Sequence, residues 1–264
     1  MNVTHVSLVP TQLYRLLELE QGREALRKLK AILVGGGAIP EAMIREADRL
    51  SLPIFTTYGL TEMTSQVATT RKGDPLDRLL TSGKPLLPDT VRIDTDGEIL
   101  VRGDTLFLGY LGATVCRRLT NCEGLERPLT PDGWFRTSDL GRVDCQGYLS
   151  VIGRKDNMFV CGGENVHPEE IEQYLCRIPG LRSAVVVPVP DAEFGAIPIC
   201  FVIMEKGFKT DAATLARSLT EALPWHKIPR RFFPWSAELE PGDMKVNRGI
   251  LYTLARQLVA GSTF

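Results

Sequence analysis

The chain has no CxxC pair, only three histidines, and no apolar run near the ~20 residues that a membrane-spanning helix requires. Its six cysteines, at positions 116, 122, 145, 161, 176 and 200, are irregularly spaced. That spacing argues against a zinc site and a disulfide framework, fits a reducing cytoplasm, and marks no thiol as a nucleophile. Charge of one sign is also missing: 31 Lys and Arg stand against 32 Asp and Glu, for a formal net charge of −1. No field of one sign therefore recommends nucleic acid or an anionic membrane as a partner. The N-terminus lacks the basic-then-apolar order of a secretory signal, and there are no repeats or low-complexity tracts. What remains is the composition of a globular chain, 44% hydrophobic and 24% charged, long enough at 264 residues for one large domain or two ordinary ones.

The first eighty residues alternate strand-like and helix-like patterns. VSLV (6–9) runs through Pro10 into the amphipathic QLYRLLELE, AILV (31–34) meets Gly35-Gly36-Gly37, Pro40 opens EAMIREADRL, and PIFTTYG (53–59) ends on glycine. This βαβ rhythm predicts an α/β layer with parallel strands over 1–80. From 81 to 155 short β segments with turn signals take over, and VRIDTDGEILVRG and VDCQGYLSVIG read as hairpins of a small β subdomain. Residues 156–264 read as a compact, mobile α+β lobe. Pro168-Glu169-Glu170 opens a helix ended by Pro179-Gly180, SAVVVPV and PICFVIM are strands, AATLARSLTEAL is a helix stopped by Pro224, and RGILYTLARQLVA is a last helix.

Four stretches carry candidate chemistry. In ILVGGGAIP a glycine turn between strand and helix bares backbone N–H groups to an anion or a flat ring. TTYGLTE (56–62) delivers Tyr58, Gly59, Thr61 and Glu62 at the carboxyl end of a strand, where open α/β sheets bind ligands; the alternative is a polar strand end with Tyr58 packed inward. Asp139 in GWFRTSDLGRVD suits two vicinal ribose hydroxyls, or alternatively an Asx-type turn. Lys245 on the Pro-Gly-Asp loop of LEPGDMKVNRGIL suits stabilisation of developing charge, or plain solvation. TSGKPLLP holds Gly83-Lys84, yet it lacks the GxxxxGK[ST] spacing, and Pro85 stands where a magnesium-binding hydroxyl belongs, so it is no phosphate cradle. GRKDNMFVCGGENVHPEEIE sets four polar residues before a glycine pair, the pattern of a joint between two bodies near Asp156.

Taken in order, GGGAIP, YGLTE, GEILVRG, GWFRTSDLGRV, GYLSVIGRKDN, GGENVHPEEIE and the lysine of DMKVNR resemble the adenylate-forming superfamily of acyl-CoA synthetases, adenylation domains and luciferases. The resemblance implies the end of a large N-terminal lobe (1–155) followed by a small C-terminal lobe, with ATP, Mg²⁺ and coenzyme A as cofactors and a small carboxylic acid as substrate. It places Gly36, Gly37, Ala38 and Tyr58 around adenine, Gly59 among the cofactor-binding residues, Thr61 at the α-phosphate and Glu62 on the magnesium. Asp139, assisted by Arg154, falls on the ribose, Asp156 is the hinge, Lys245 is the adenylation lysine, and Gly162, Gly163 and Glu164 lie along the CoA tunnel. Ser7 and Gln66 are candidates for the acyl pocket. Within the superfamily HVSLVPTQLYRLL, GRKDNMFVCGGE and VPVPDAEFGAIPICFV look most like the o-succinylbenzoate–CoA ligases of menaquinone synthesis. The alternatives are another aryl- or fatty-acyl-CoA ligase, a peptide-synthetase-type adenylation module, or an inactive nucleotide-binding piece. Met244 departs from the glycine that most relatives carry before the lysine, and the upstream Ser/Thr/Gly-rich phosphate loop is absent, so the chain resembles the second half of such an enzyme.

Overall fold

The computed structural model describes residues 3–111, 125–205, 207, 208, 210–235 and 247–260. They fall into two compact units: residues up to Ala38 together with Ala47–Ile152, and Ile39–Glu46 together with residues from Gly153 onward.

In the first unit β1 (His5–Leu8) leads through Pro10 into α1 (Pro10–Glu18). The amphipathic run does not continue as one helix. Leu19 is extended (φ −104°, ψ 129°), and α2 (Glu20–Arg27) restarts beyond it. β2 (Ala31–Val34) and β3 (Ile54–Gly59) follow, and α3 (Glu41–Arg49), which comes between them in the chain, falls mostly in the second unit. β1, β2 and β3 pair in parallel, Ser7 beside Leu33 and Val34 beside Thr56. β4 (Gln66–Thr69) then returns antiparallel to β3, α4 (Leu76–Leu79) intervenes, and β5 (Lys84–Pro85) completes a five-stranded sheet. Parallel strands need long crossovers, and α1–α2 and α3 supply them.

The β subdomain contains β6 (Val91–Ile93), β7 (Glu98–Val101), β8 (Tyr110–Leu111), β9 (Leu125–Glu126), β10 (Phe135–Val143) and β11 (Leu149–Arg154). Four of these form a sheet in the order β11-β10-β7-β6. Both expected hairpins are present. The first turns through Gly97 at φ 84°, and the second through Gly147 at φ 85°. Tyr58, Met63, Val67, Ile99, Val101, Phe135 and Leu149 share one core, so the strand that carries the YGLTE segment packs on the β subdomain.

The second unit opens with a hairpin that the sequence reading did not include. β12 (Phe159–Cys161) and β13 (Glu164–Val166) pair antiparallel, and Gly162-Gly163 is their two-residue turn, with φ 59° and 86°. Two consecutive positive φ values are what a tight hairpin demands of its central residues, and glycine meets that demand at least cost. α5 (Pro168–Leu175) ends earlier than Pro179, capped at Cys176. β14 (Leu181–Asp191) and β15 (Gly195–Met204) form a long ladder, β16 (Arg231–Pro234) joins β15 in parallel, and α6 (Ala212–Thr220) and α7 (Arg248–Ala260) complete the unit. The ladder is buried on both faces, which explains the unbroken run of valines in β14. Ala184 and Val186 pack with Ile171, Leu175, Leu215 and Leu219 on one face, while Val185, Val187 and Val189 pack with Leu251 and Ala255 on the other. Among the described residues no helix is long and apolar enough to cross a membrane.

Candidate nucleotide site

The carboxyl ends of β2 and β3 lie side by side because the two strands are parallel and in register. From the first emerges the exposed turn Gly36-Gly37-Ala38, with Gly36 at φ 77° and open space beside Gly37. From the second come Tyr58 and Gly59. A Cβ on Gly59 would strike the carbonyl of Ser65, so the chain can fold back there only through glycine. Beyond it, Thr61–Met63 form a single 3-10 turn. Thr61 is exposed, and the backbone carbonyl of Glu62 accepts the Phe107 N–H at 2.7 Å. Thr64, at φ 68°, ties the same loop to the Thr105 carbonyl through its hydroxyl at 2.9 Å.

Tyr58 is packed inward, 9% exposed, and its hydroxyl donates to Asp139 Oδ2 at 2.7 Å. Asp139 lies in β10, where the ladder with β7 breaks between Arg136 and Leu140. The neighbouring Ser138 takes φ 59°, and the Asp139 N–H donates to the Thr137 hydroxyl at 3.0 Å. Bulges re-aim a side chain out of the regular alternation, and here the aimed group is a half-buried carboxylate. Glu62 accepts a hydrogen bond from the Tyr110 hydroxyl at Oε1, 2.6 Å away. Tyr110 stacks edge-on against Phe107, and Phe107 against Phe135, so the carboxylate is braced by an aromatic cluster.

The remaining candidates divide between the two units. Gln66 Nε2 donates to the Thr57 hydroxyl at 3.2 Å, and Ser7 is exposed on β1. Arg154 and Asp156 belong to the second unit, where Arg154 Nη2 donates to Asp156 Oδ2 at 2.8 Å. Gly162, Gly163 and Glu164 are exposed on the β12–β13 hairpin. Lys245 and Met244 lie outside the described residues. The rejected Gly83-Lys84 pair is structural: a Cβ on Gly83 would collide with the backbone of Thr69 and Thr70, and Lys84 Nζ lies over the Tyr148 ring, 4.6 Å from its centre. Tyr110, Thr137, Ser138 and Glu98 were not singled out from the sequence, since no local pattern marks them.

The glycine turn and the Tyr58–Glu62 segment fall within a stretch that matches a known sequence model. Residues 1–111 match the model of the AMP-binding enzymes, and residues 170–240 match the model of their C-terminal domain. The chain belongs to the AMP-binding enzyme family. It is 33% identical over 229 residues to the 2-succinylbenzoate–CoA ligase of Listeria monocytogenes serotype 4b, covering 87% of this chain and 46% of that protein. Its fold is similar to that of MenE, the o-succinylbenzoate CoA synthetase of Bacillus subtilis, solved with the acyl-adenylate intermediate OSB-AMP. That similarity has a TM-score of 0.70 and 31% identity, over 88% of this chain and 47% of that one. It is also similar to the anthranilate CoA ligase AuaEII in complex with anthranoyl-AMP, with a TM-score of 0.78 and 25% identity, over 97% and 51% of the two chains. The chain thus spans about half the length of the AMP-binding enzymes it matches.

Proposed function

We propose that this chain carries the ribose- and metal-binding half of an ATP-dependent carboxylate–CoA ligase, with o-succinylbenzoate as the acid and menaquinone synthesis in the cytoplasm as the setting. The observation that carries this reading is the Tyr58–Asp139 hydrogen bond at 2.7 Å, which ties the carboxylate of β10 to the end of β3, the strand that leads into Glu62 and runs beside the strand that leads into the Gly36–Ala38 turn. The Listeria and Bacillus relatives supply the acid.

The reaction runs in two steps. The carboxylate oxygen attacks the α-phosphorus of ATP, the bond to pyrophosphate breaks, and an acyl-adenylate forms. The CoA thiolate then attacks the acyl carbon, and AMP leaves. In the first step Asp139 accepts the ribose hydroxyls, Thr61 donates to the α-phosphate, the 36–38 turn frames adenine, and Lys245 offsets charge on the carboxylate and phosphate. For the second, the segment around Asp156 is the hinge of the smaller lobe, which brings Gly162, Gly163 and Glu164 to the thiol. Arg154 assists at the ribose, and Ser7 and Gln66 border the acyl group.

Among the described residues no group of three or more His, Cys, Asp or Glu could hold a metal ion. A single carboxylate at Glu62 fits Mg²⁺, which keeps most of its waters and arrives on the nucleotide phosphates. When bound, the ion would offset charge at phosphorus.

The test uses the protein carrying this chain. Lys245→Ala should abolish ATP–pyrophosphate exchange yet spare thioester formation from preformed acyl-adenylate. Equal loss of both would overturn the two-lobe assignment. A second reading, another aryl acid in the same reaction, is favoured by the likeness to the anthranilate ligase. Mass spectrometry of the thioester formed from o-succinylbenzoate in competition with anthranilate separates the two.

A further inference from the structure

Glu98 is a carboxylate in the interior of the β subdomain, with its side chain 3% exposed. Buried charge is costly unless every oxygen is matched, and here both are. Oε2 accepts from Arg136 Nη1 at 2.6 Å, and Oε1 accepts the backbone N–H of Ser138 at 2.9 Å. Arg136 reaches further through Nη2 to Asp94 Oδ2 at 2.8 Å. Each of these contacts falls on the irregular stretch of β10. Arg136 stands opposite Leu100 and Leu140 opposite Glu98, so four steps along β10 span two along β7. The surplus residues leave the Ser138 N–H without a ladder partner and put Ser138 at φ 59°, a conformation that serine rarely adopts. Glu98 supplies the missing acceptor, and the guanidinium beside it holds the carboxylate in place. The next residue is Asp139, whose own N–H is caught by the Thr137 hydroxyl while that hydroxyl donates to the Ile99 carbonyl at 2.7 Å.

We infer that Glu98 is a positioning residue for the nucleotide ribose: by satisfying the Ser138 N–H in its left-handed conformation, it aims the Asp139 carboxylate at the point where Tyr58 and the ribose hydroxyls meet it. This rests on the ribose role proposed for Asp139. In Glu98→Gln the side-chain amide still accepts from Ser138 but turns an NH₂ toward Arg136, donor against donor. The bulge loses one of its two anchors, and Asp139 loses its fixed direction.

The experiment is calorimetry of the 264-residue chain with AMP and with 2′,3′-dideoxy-AMP, which has no ribose hydroxyls for Asp139 to bind. The wild-type chain should prefer AMP. Glu98→Gln should weaken AMP at least 10-fold and leave the dideoxy nucleotide within 2-fold. Ser138→Gly added to Glu98→Gln should recover part of the loss, because glycine holds φ 59° without strain. Should Glu98→Gln fold poorly, Arg136→Gln at the exposed end of the same network should show the same selective loss at 3-fold or more. Equal weakening of both nucleotides, or no recovery with glycine, would overturn the positioning role alone. A wild-type chain that binds the two nucleotides equally would overturn the ribose reading and the inference with it.

Discussion

Removal of the Arg248 guanidinium is the sharpest test of how the second unit holds together. At the start of α7, Nη1 and Nη2 grip the two oxygens of Glu172 at 2.7 and 2.8 Å, Nη1 also donates to the Val186 carbonyl at 2.8 Å, and Nη2 reaches Glu169 at 3.3 Å. The partners are buried carboxylates, with side chains 12% and 11% exposed. Arg248→Met keeps most of the aliphatic volume and strands two negative charges. Stranding a buried partner costs about 3–5 kcal/mol, which at a urea slope of about 2 kcal/mol per molar lowers the midpoint by about 1.5–2.5 M. The deficit must also depend on pH. Burial already pushes the Glu172 carboxyl up, while Arg248 and the Val186 N–H hold it down. Without Arg248 it rises further, and a carboxyl raised above its unfolded value favours the folded state most when protonated. That support is complete below the unfolded value of about 4.3 and is lost as pH rises through the folded value. The variant should therefore be worst near pH 8 and recover toward pH 4.5, and Glu172→Gln in the same chain should remove most of the pH dependence. Hydrogen-exchange mass spectrometry of peptides from β14 and β15 across a urea series reads the unit directly. A loss below about 1 kcal/mol, or a deficit that grows on acidification, would refute the assignment of this pair as the unit's internal clamp.

The glycine of the rejected phosphate-loop lookalike should behave as structure. Gly83→Ala, forced to φ 80° with its methyl against Thr69 and Thr70, should cost about 3–5 kcal/mol in thermal melts, whereas Lys84→Ala should leave ATP affinity unchanged. The thiols should separate by burial. Iodoacetamide at pH 8 should label the exposed Cys145 and spare Cys200, and Cys176, whose thiol burial pushes up to about 11, should react only as the pH nears that value. Peptide mapping that finds Cys176 and Cys145 labelled at equal rates at pH 8 would contradict the packing of α5 on β14.

The elements most legible in the sequence were those whose pattern is local. AILV became β2 residue for residue, and the valine run became a ladder strand, because strand period and turn glycines act within a few residues. The break at Leu19 was hidden, since the apolar pattern carries through it while only the backbone turns. The Gly162-Gly163 hairpin was hidden for another reason. Its strands are three residues each, too short for a period to show, and the glycines read equally well as a ligand loop.

Local order, then, was determined by the sequence itself: which stretches are strand or helix, where glycine and proline punctuate them, and which polar residues stand at strand ends. The pairings were decided only by the tertiary structure. Tyr58 and Asp139 are 81 positions apart, and Glu98 and Ser138 are 40 apart. Separations of that size leave no periodic trace along the chain. The contacts exist because β3 packs on the β subdomain and because β10 carries surplus residues against β7.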